Sequence, residues 1–292
     1  MVKAITIPSN LKSEYPFTPK TLTLKSGHKL SYIDEGTGPV VIMAHGNPTW
    51  SFYYRNVIKK LKNNFRVIVP DHIGCGLSDK PQDYDYTLKN HIDNLEELTQ
   101  SLNIKDFNII VHDWGGAIGM GLATRYPENL KKAVILNTAA FTSDLIPKTI
   151  NICKNPIFGE WLVRKFNAFA WPATFMATNV GLSKEAKQGY LLPYNNYKNR
   201  IATARFVKDI PMTSTHPTWN TLKDIENKLQ SLDCPKLILW GEKDFCFNMN
   251  FYNRWVEIFP KASKKVFKNA GHYVLEDARD EINEDILNFL SE

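Results

Sequence analysis

Long apolar runs are missing from this sequence, and so are the signatures that would announce a cofactor. No stretch approaches the roughly 20 consecutive apolar residues of a membrane-spanning helix. The opening segment, MVKAITIPSNLKSEYPF, lacks the apolar core of a secretory signal. No GxGxxG, phosphate loop or metal-ligand cluster occurs, so neither cofactor nor metal is expected. Cysteine is scarce: Cys75, Cys153, Cys234 and Cys246 share no metal-ligand spacing, and free thiols in a reducing cytoplasm are the expected state. Repeats, low-complexity tracts and charged tails are absent as well.

Charge of one sign is also in short supply, with 36 basic against 30 acidic residues and a net charge of +6. The lysines fall in short groups such as Lys59-Lys60 and Lys264-Lys265, separated by apolar residues, as on solvated faces. Without a basic stripe or a stacking platform, nucleic acid is not an expected partner. Apolar residues are present in quantity: 43% of 292 residues suffices for one large core, or a core with one substantial insertion.

Short β-rich runs alternate with helical spacing, which predicts a mostly parallel sheet covered by helices on both faces. Residues 21–36 alternate about a Ser-Gly turn and read as an antiparallel hairpin at the sheet's edge. Strands are expected at 40–46, 65–71, 107–113, 131–138 and 236–244, with a weaker one at 263–271. Helices are expected near 51–62, 87–102, 116–126, 249–258 and 278–290. The interval between Thr138 and Lys236 is far longer than one crossover helix needs, so something is inserted there. The expected division is a core over 1–138, a helical cap over 139–215, rich in aromatics and broken by prolines, and the rest of the core over 216–292.

In open sheets of this kind, ligands bind beyond the C-terminal ends of the strands. Four ends carry notable residues: HGNPTW at 45–50, DHIGCGLSD at 71–79, HDWGG at 112–116 and GEKDF at 241–245. A sharp strand-to-helix turn that lifts one side chain above a sheet needs small neighbours, which Gly115 and Gly116 supply. Asp113 holds the nucleophile position of that turn, where a helix cap is the structural alternative. Asp244 comes after a later strand and His272 sits in NAGHYVLEDA, giving the chain order nucleophile, acid, histidine. Asn137, where some relatives place the acid, carries no charge, so Asp244 is the better candidate. His112 and His45 read as structural, and Trp50 and Trp219 as packing. In DHIGCGLSD, Gly74 and Gly76 allow a tight turn that Asp71 can tie down.

A carboxylate at this corner predicts a particular substrate. Serine displacing a leaving group from a saturated carbon would leave an ether, which water does not readily cleave. Aspartate leaves an alkyl ester whose carbonyl belongs to the enzyme. Water activated by His272 can then attack that carbonyl while Asp244 orients the imidazole and stabilises its charged form. The substrate is expected to be a small apolar molecule with an electrophilic sp3 carbon: an alkyl halide, an epoxide, or a strained lactone attacked on its alkyl side.

At HGNPTW, VHDWGG, WGEKD and AGHYVLEDA the sequence resembles the haloalkane dehalogenases, of the α/β-hydrolase fold with an eight-stranded, mostly parallel doubly wound sheet and an inserted helical cap. Asn47 beside an Asp244-type acid is most similar to their third subfamily. The resemblance implies that Asn47 and Trp114 donate side-chain N–H groups to the leaving group, and their backbone N–H groups to an oxyanion. HGNPTWSFYYRN, DHIGCGLSDKP, FNAFA and RFVKDIP resemble a branch of that subfamily more closely still, the β-lactone decarboxylases of bacterial long-chain olefin biosynthesis. That branch implies a long apolar channel, for which Phe166, Phe169, Trp171 and Phe175 are candidates, and association with the enzymes that make the lactone. The attack geometry is shared between halide and lactone, so both stay open. Epoxide hydrolases are the alternative, with Tyr190, Tyr194 and Tyr197 available as cap tyrosines, although Asn47 replaces their usual aromatic residue. A ligand-binding protein without turnover is a further one.

Overall fold

The computed structural model describes residues 5–292. They form eight strands in one sheet: β1 (Lys20–Thr23), β2 (Lys29–Glu35), β3 (Val40–Ala44), β4 (Arg66–Pro70), β5 (Phe107–Asp113), β6 (Leu130–Thr138), β7 (Lys236–Gly241) and β8 (Ser263–Phe267). Their spatial order is β1-β2-β4-β3-β5-β6-β7-β8. The pairs β1 with β2 and β2 with β4 run antiparallel, and every other pair runs parallel. The hairpin and the six later strands lie where the alternation of apolar residues put them, though β7 and β8 stop three or four residues short of the expected ends.

The strands themselves dictate that both faces are covered. Along β3, Ile42 and Ala44 join one buried cluster while Val41 and Met43 join another, and along β5 Ile109 and Val111 separate from Ile110 in the same way. Alternate side chains point to opposite faces of a sheet, and both sets here are apolar, so each face needs helices. One face packs on α2 (Leu88–Ser101) and α3 (Trp114–Ala123), the other on α1 (Arg55–Leu61).

Between β6 and β7 the chain runs through α4 (Lys148–Cys153), α5 (Gly159–Phe166), α6 (Ala170–Met176), α7 (Lys184–Leu191), α8 (Ile201–Lys208) and α9 (Trp219–Lys228). The first three are of six to eight residues, and a small separate core forms in this segment around Ile150, Val163 and Val207. After β7 come α10 (Met249–Ile258), α11 (Val274–Asp277) and α12 (Arg279–Ser291), of which α10 returns to the α2 face and α12 to the α1 face. No helix among the described residues is long and apolar enough to cross a membrane.

Candidate active site

The C-terminal ends of β3, β5, β7 and β8 open on one place. Asp113 ends β5 at φ 52° and ψ −129°, a conformation that costs a residue with a Cβ about 1–3 kcal/mol and persists only where its surroundings enforce it. The enforcement is close packing. A Cβ on Gly116 would stand 1.8 Å from Thr138 Oγ1, and one on Gly46 would stand 2.0 Å from Asp113 Oδ1, so neither position tolerates a side chain without displacing the carboxylate or its strand. Thr138 Oγ1 donates to the Asp113 carbonyl and locks the turn to β6.

Although Asp113 stands at the N-cap of α3, its side chain makes no capping hydrogen bond to that helix. Instead Oδ1 accepts the backbone N–H of Asn47 at 2.7 Å, and Oδ2 lies 3.6 Å from His272 Nε2. His272 Nδ1 donates to Asp244 Oδ2 at 2.8 Å, while Asp244 Oδ1 accepts the backbone N–H groups of Cys246 and Phe247 at 2.6 and 3.0 Å. All three side chains are buried. Burial pushes the Asp113 carboxyl above the ordinary aspartate value, opposed by His272 and by the N–H groups of Trp114 and Asn47. Burial works against charge on His272 as well, but Asp244 outweighs it and holds the imidazole above its ordinary value. Held above its ordinary value, the His272 imidazole is placed to carry a proton beside Asp113.

Residues expected to be structural turn out to brace this site. His112 Nε2 donates to the His272 carbonyl at 2.8 Å, and its ring lies on Tyr53 at 4.4 Å, so it anchors the loop that carries His272. His45 bonds to the carbonyl of Gly46 and accepts the N–H of His72. Asn137 clamps the end of β7, donating to the Gly241 carbonyl and accepting its N–H, and so has no part in orienting His272. Asp71 accepts from Ser51 and Leu77, tying down the turn at Gly74 and Gly76.

A cavity opens over Asp113 in two adjoining lobes. Asn47, Asp113, Ile150, Phe169 and Cys246 border both; Trp114 borders the larger and His272 the smaller. Asn47 uses one amide N–H on the Thr203 carbonyl at 3.1 Å, which leaves its second for the cavity. Of the four aromatic residues expected to line a channel, only Phe169 does. Phe166, Trp171 and Phe175 are 59%, 57% and 51% exposed and face away, Phe166 against Trp161 and Trp171 against Phe175. The lining comes instead from Leu145, Ile146 and Pro147 in the connection after β6, and from Cys246 and Phe247 beyond Asp244. A loop has no periodicity to mark which way it faces, so nothing in the pattern marked those residues. The candidate epoxide-opening tyrosines are absent from the lining. Tyr190 donates to Glu276, Tyr194 to the Thr49 carbonyl, and Tyr197 is exposed.

A family defined by the alpha/beta hydrolase fold matches residues 39–278, most of the chain and every residue of the Asp113, His272 and Asp244 constellation. The chain belongs to the alpha/beta hydrolase family. It is an enzyme of this fold. Among relatives of this hydrolase, the cis-3-alkyl-4-alkyloxetan-2-one decarboxylase of Shewanella oneidensis is 49% identical, over 92% of this chain and 87% of its own. One of the same name from Xanthomonas campestris is 42% identical, over 90% and 92%. Among solved structures, the haloalkane dehalogenase DbeA from Bradyrhizobium elkani superposes with a TM-score of 0.86 at 24% identity, covering 94% of this chain and 98% of that one. The fold is therefore shared with the dehalogenases, and sequence identity is higher to these decarboxylases.

Proposed function

We propose that this hydrolase opens a cis-3,4-dialkyl β-lactone and releases an olefin and carbon dioxide, with Asp113 as nucleophile, Asn47 and Trp114 as donors to the leaving group, and His272 and Asp244 beside the nucleophile as the pair that activates water only when the alkyl ester is stable. The observation that carries the lactone reading is the fork in the cavity at Asp113. A 1-haloalkane has one chain trailing from the attacked carbon and fills one lobe. A dialkyl lactone carries chains on two adjacent carbons and needs two. The larger lobe offers Phe141, Ile146 and Leu222 to one chain, and the smaller offers Ala173, Met176 and Ala177 to the other.

In the proposed reaction an Asp113 oxygen attacks the ring carbon that bears the lactone oxygen, from the side opposite that oxygen. The C–O bond breaks and its electron pair becomes part of a carboxylate on the neighbouring carbon. That carboxylate is the leaving group, and the Asn47 amide and the Trp114 indole N–H meet it. No lysine or arginine lines either lobe, so neutral donors stabilise the charge without fixing it in an ion pair. The carboxylate then departs as carbon dioxide. The electrons of the broken C–C bond form the double bond and expel Asp113, whose carboxylate is regenerated beside His272. Backside attack places the ester oxygen anti to the carboxylate, so a cis lactone yields a cis olefin. Water takes no part in these steps.

A substrate without that carboxylate, such as a bromoalkane, would leave a stable alkyl ester. There the Asn47 and Trp114 backbone N–H groups would serve as the oxyanion hole and His272 would activate water. The same reading makes residues 139–215 a cap over the site and the enzyme cytoplasmic, which the four free cysteines support. It also includes association with the enzymes that supply the lactone.

Side-by-side assays of the purified protein with a long-chain cis-dialkyl β-lactone and a 1-bromoalkane test the choice. Olefin should form orders of magnitude faster than bromide, and the reverse ranking would make the enzyme a dehalogenase. Asn47→Ala and Trp114→Phe should each cut turnover about tenfold to a thousandfold, as loss of one aimed donor does elsewhere. Unchanged kinetics in either variant would remove that residue from the reaction.

A further inference from the structure

Net charge and exposed apolar surface are concentrated in the same part of the fold. Residues 139–215 contain ten Lys or Arg against four Asp or Glu, so the segment carries the whole net charge of +6 and the remainder of the chain is balanced. Of the large apolar residues that stand exposed among the described residues, all but Phe245 also lie in this segment. Ile157 is 89% exposed, Val180 68% and Trp161 51%. Monomeric proteins rarely leave such surface in one place without a use for it.

Positions four apart share a helix face. On α4 that spacing joins Lys148 to Ile152 and on α5 Trp161 to Lys165, a lysine beside an apolar residue in each, and on α6 it joins two aromatics, Trp171 and Phe175; all six are exposed. The surface continues to the cavity, because Leu145 and Met176 are 45% and 41% exposed and also line its two lobes.

We infer that this face docks on an anionic phospholipid bilayer. Aromatic side chains beside unneutralised lysines match the boundary between acyl chains and acidic headgroups. A protein partner fits less well, since the centres of protein interfaces are depleted of lysine. Docking there puts the cavity's exposed lip against the phase in which a long-chain lactone dissolves. That consequence rests on the proposed decarboxylation, whereas the docking itself does not.

Co-sedimentation of the full chain with phosphatidylcholine vesicles, with and without phosphatidylglycerol, tests the inference. Binding should be at least about tenfold greater to the anionic vesicles, and should fall severalfold between about 0.05 and 0.5 M salt as screening sets in. The triple variant Ile157→Ser, Trp161→Ser, Lys165→Glu should lose about tenfold of that binding. Its turnover of a short-chain substrate in solution should be unchanged. Lys264→Glu on β8 reverses the same charge on another surface and should bind as the wild type does. Three results overturn the inference: no preference for anionic vesicles, equal binding by the triple variant, or equal loss in Lys264→Glu. So does a wild type that leaves vesicles alone but self-associates in sedimentation velocity where the triple variant does not. A protein that binds vesicles yet fails to turn over the lactone would keep the docking and refute the proposed reaction.

Discussion

His272→Phe should react once with a 1-bromoalkane and then stall, releasing one equivalent of bromide and keeping the alkyl group. Formation of the ester needs only an ionised Asp113 and an acceptor of halide; without the imidazole the carboxylate loses one favourable charge but keeps the backbone N–H of Asn47. Hydrolysis needs a base within reach of the Asp113 carbonyl carbon, and His272 Nε2, 3.6 Å from Asp113 Oδ2, is the group in that position. Loss of a positioned base costs about 10²- to 10⁴-fold, enough to make the adduct survive digestion and mass spectrometry on a peptide containing Asp113. The same variant given the lactone should not accumulate an ester, because loss of carbon dioxide discharges it without water. Repeated turnover of the bromoalkane, or an adduct on another peptide, would contradict these roles.

Asp244→Asn should slow hydrolysis of the alkyl ester by about 10⁴-fold, the size of effect seen when a triad's acid becomes an amide. The reason is local. Asp244 Oδ1 already accepts two backbone N–H groups, from Cys246 and Phe247, so in the variant the amide oxygen must stay with them. The amide NH₂ then faces His272 Nδ1, which can no longer be the protonated nitrogen. The proton moves to Nε2, and the nitrogen facing Asp113 becomes a donor where a base is required. Lactone decarboxylation should change less than about tenfold, since no proton moves as the ester collapses. Steady-state rates of bromide and olefin release from the one variant check both halves, and equal losses on the two substrates would show that water attack is common to both.

Much of this site is legible in the sequence because strand ends carry it. A buried strand declares itself by a short apolar run, and the residues that follow that run must stand beyond the strand's C-terminal end; Asn47, Asp113, Asp244 and His272 are all marked in that way. The hairpin at the sheet's edge is readable from alternation, and α10 from its apolar spacing, because each packs on the sheet and its phase is set by that face. The inserted helices are different. α5 and α6 are of seven or eight residues with aromatic side chains on the outward side too, so their pattern does not say which side meets the cavity. Phe169 lies between them and turns inward; Phe166, Trp171 and Phe175 turn out. His112 is legible as buried but not as a brace for His272, since that contact joins residues 160 apart in sequence.

Rapid-quench mass spectrometry on the wild type, mixed with a dialkyl β-lactone in single turnover, puts the covalent step to the most direct test. A transient species heavier by one intact lactone is expected, bonded within the peptide that holds Asp113, rising before the olefin and falling as the olefin appears. Olefin formed with no such species at any time, and at an undiminished rate in Asp113→Ala, would contradict that step.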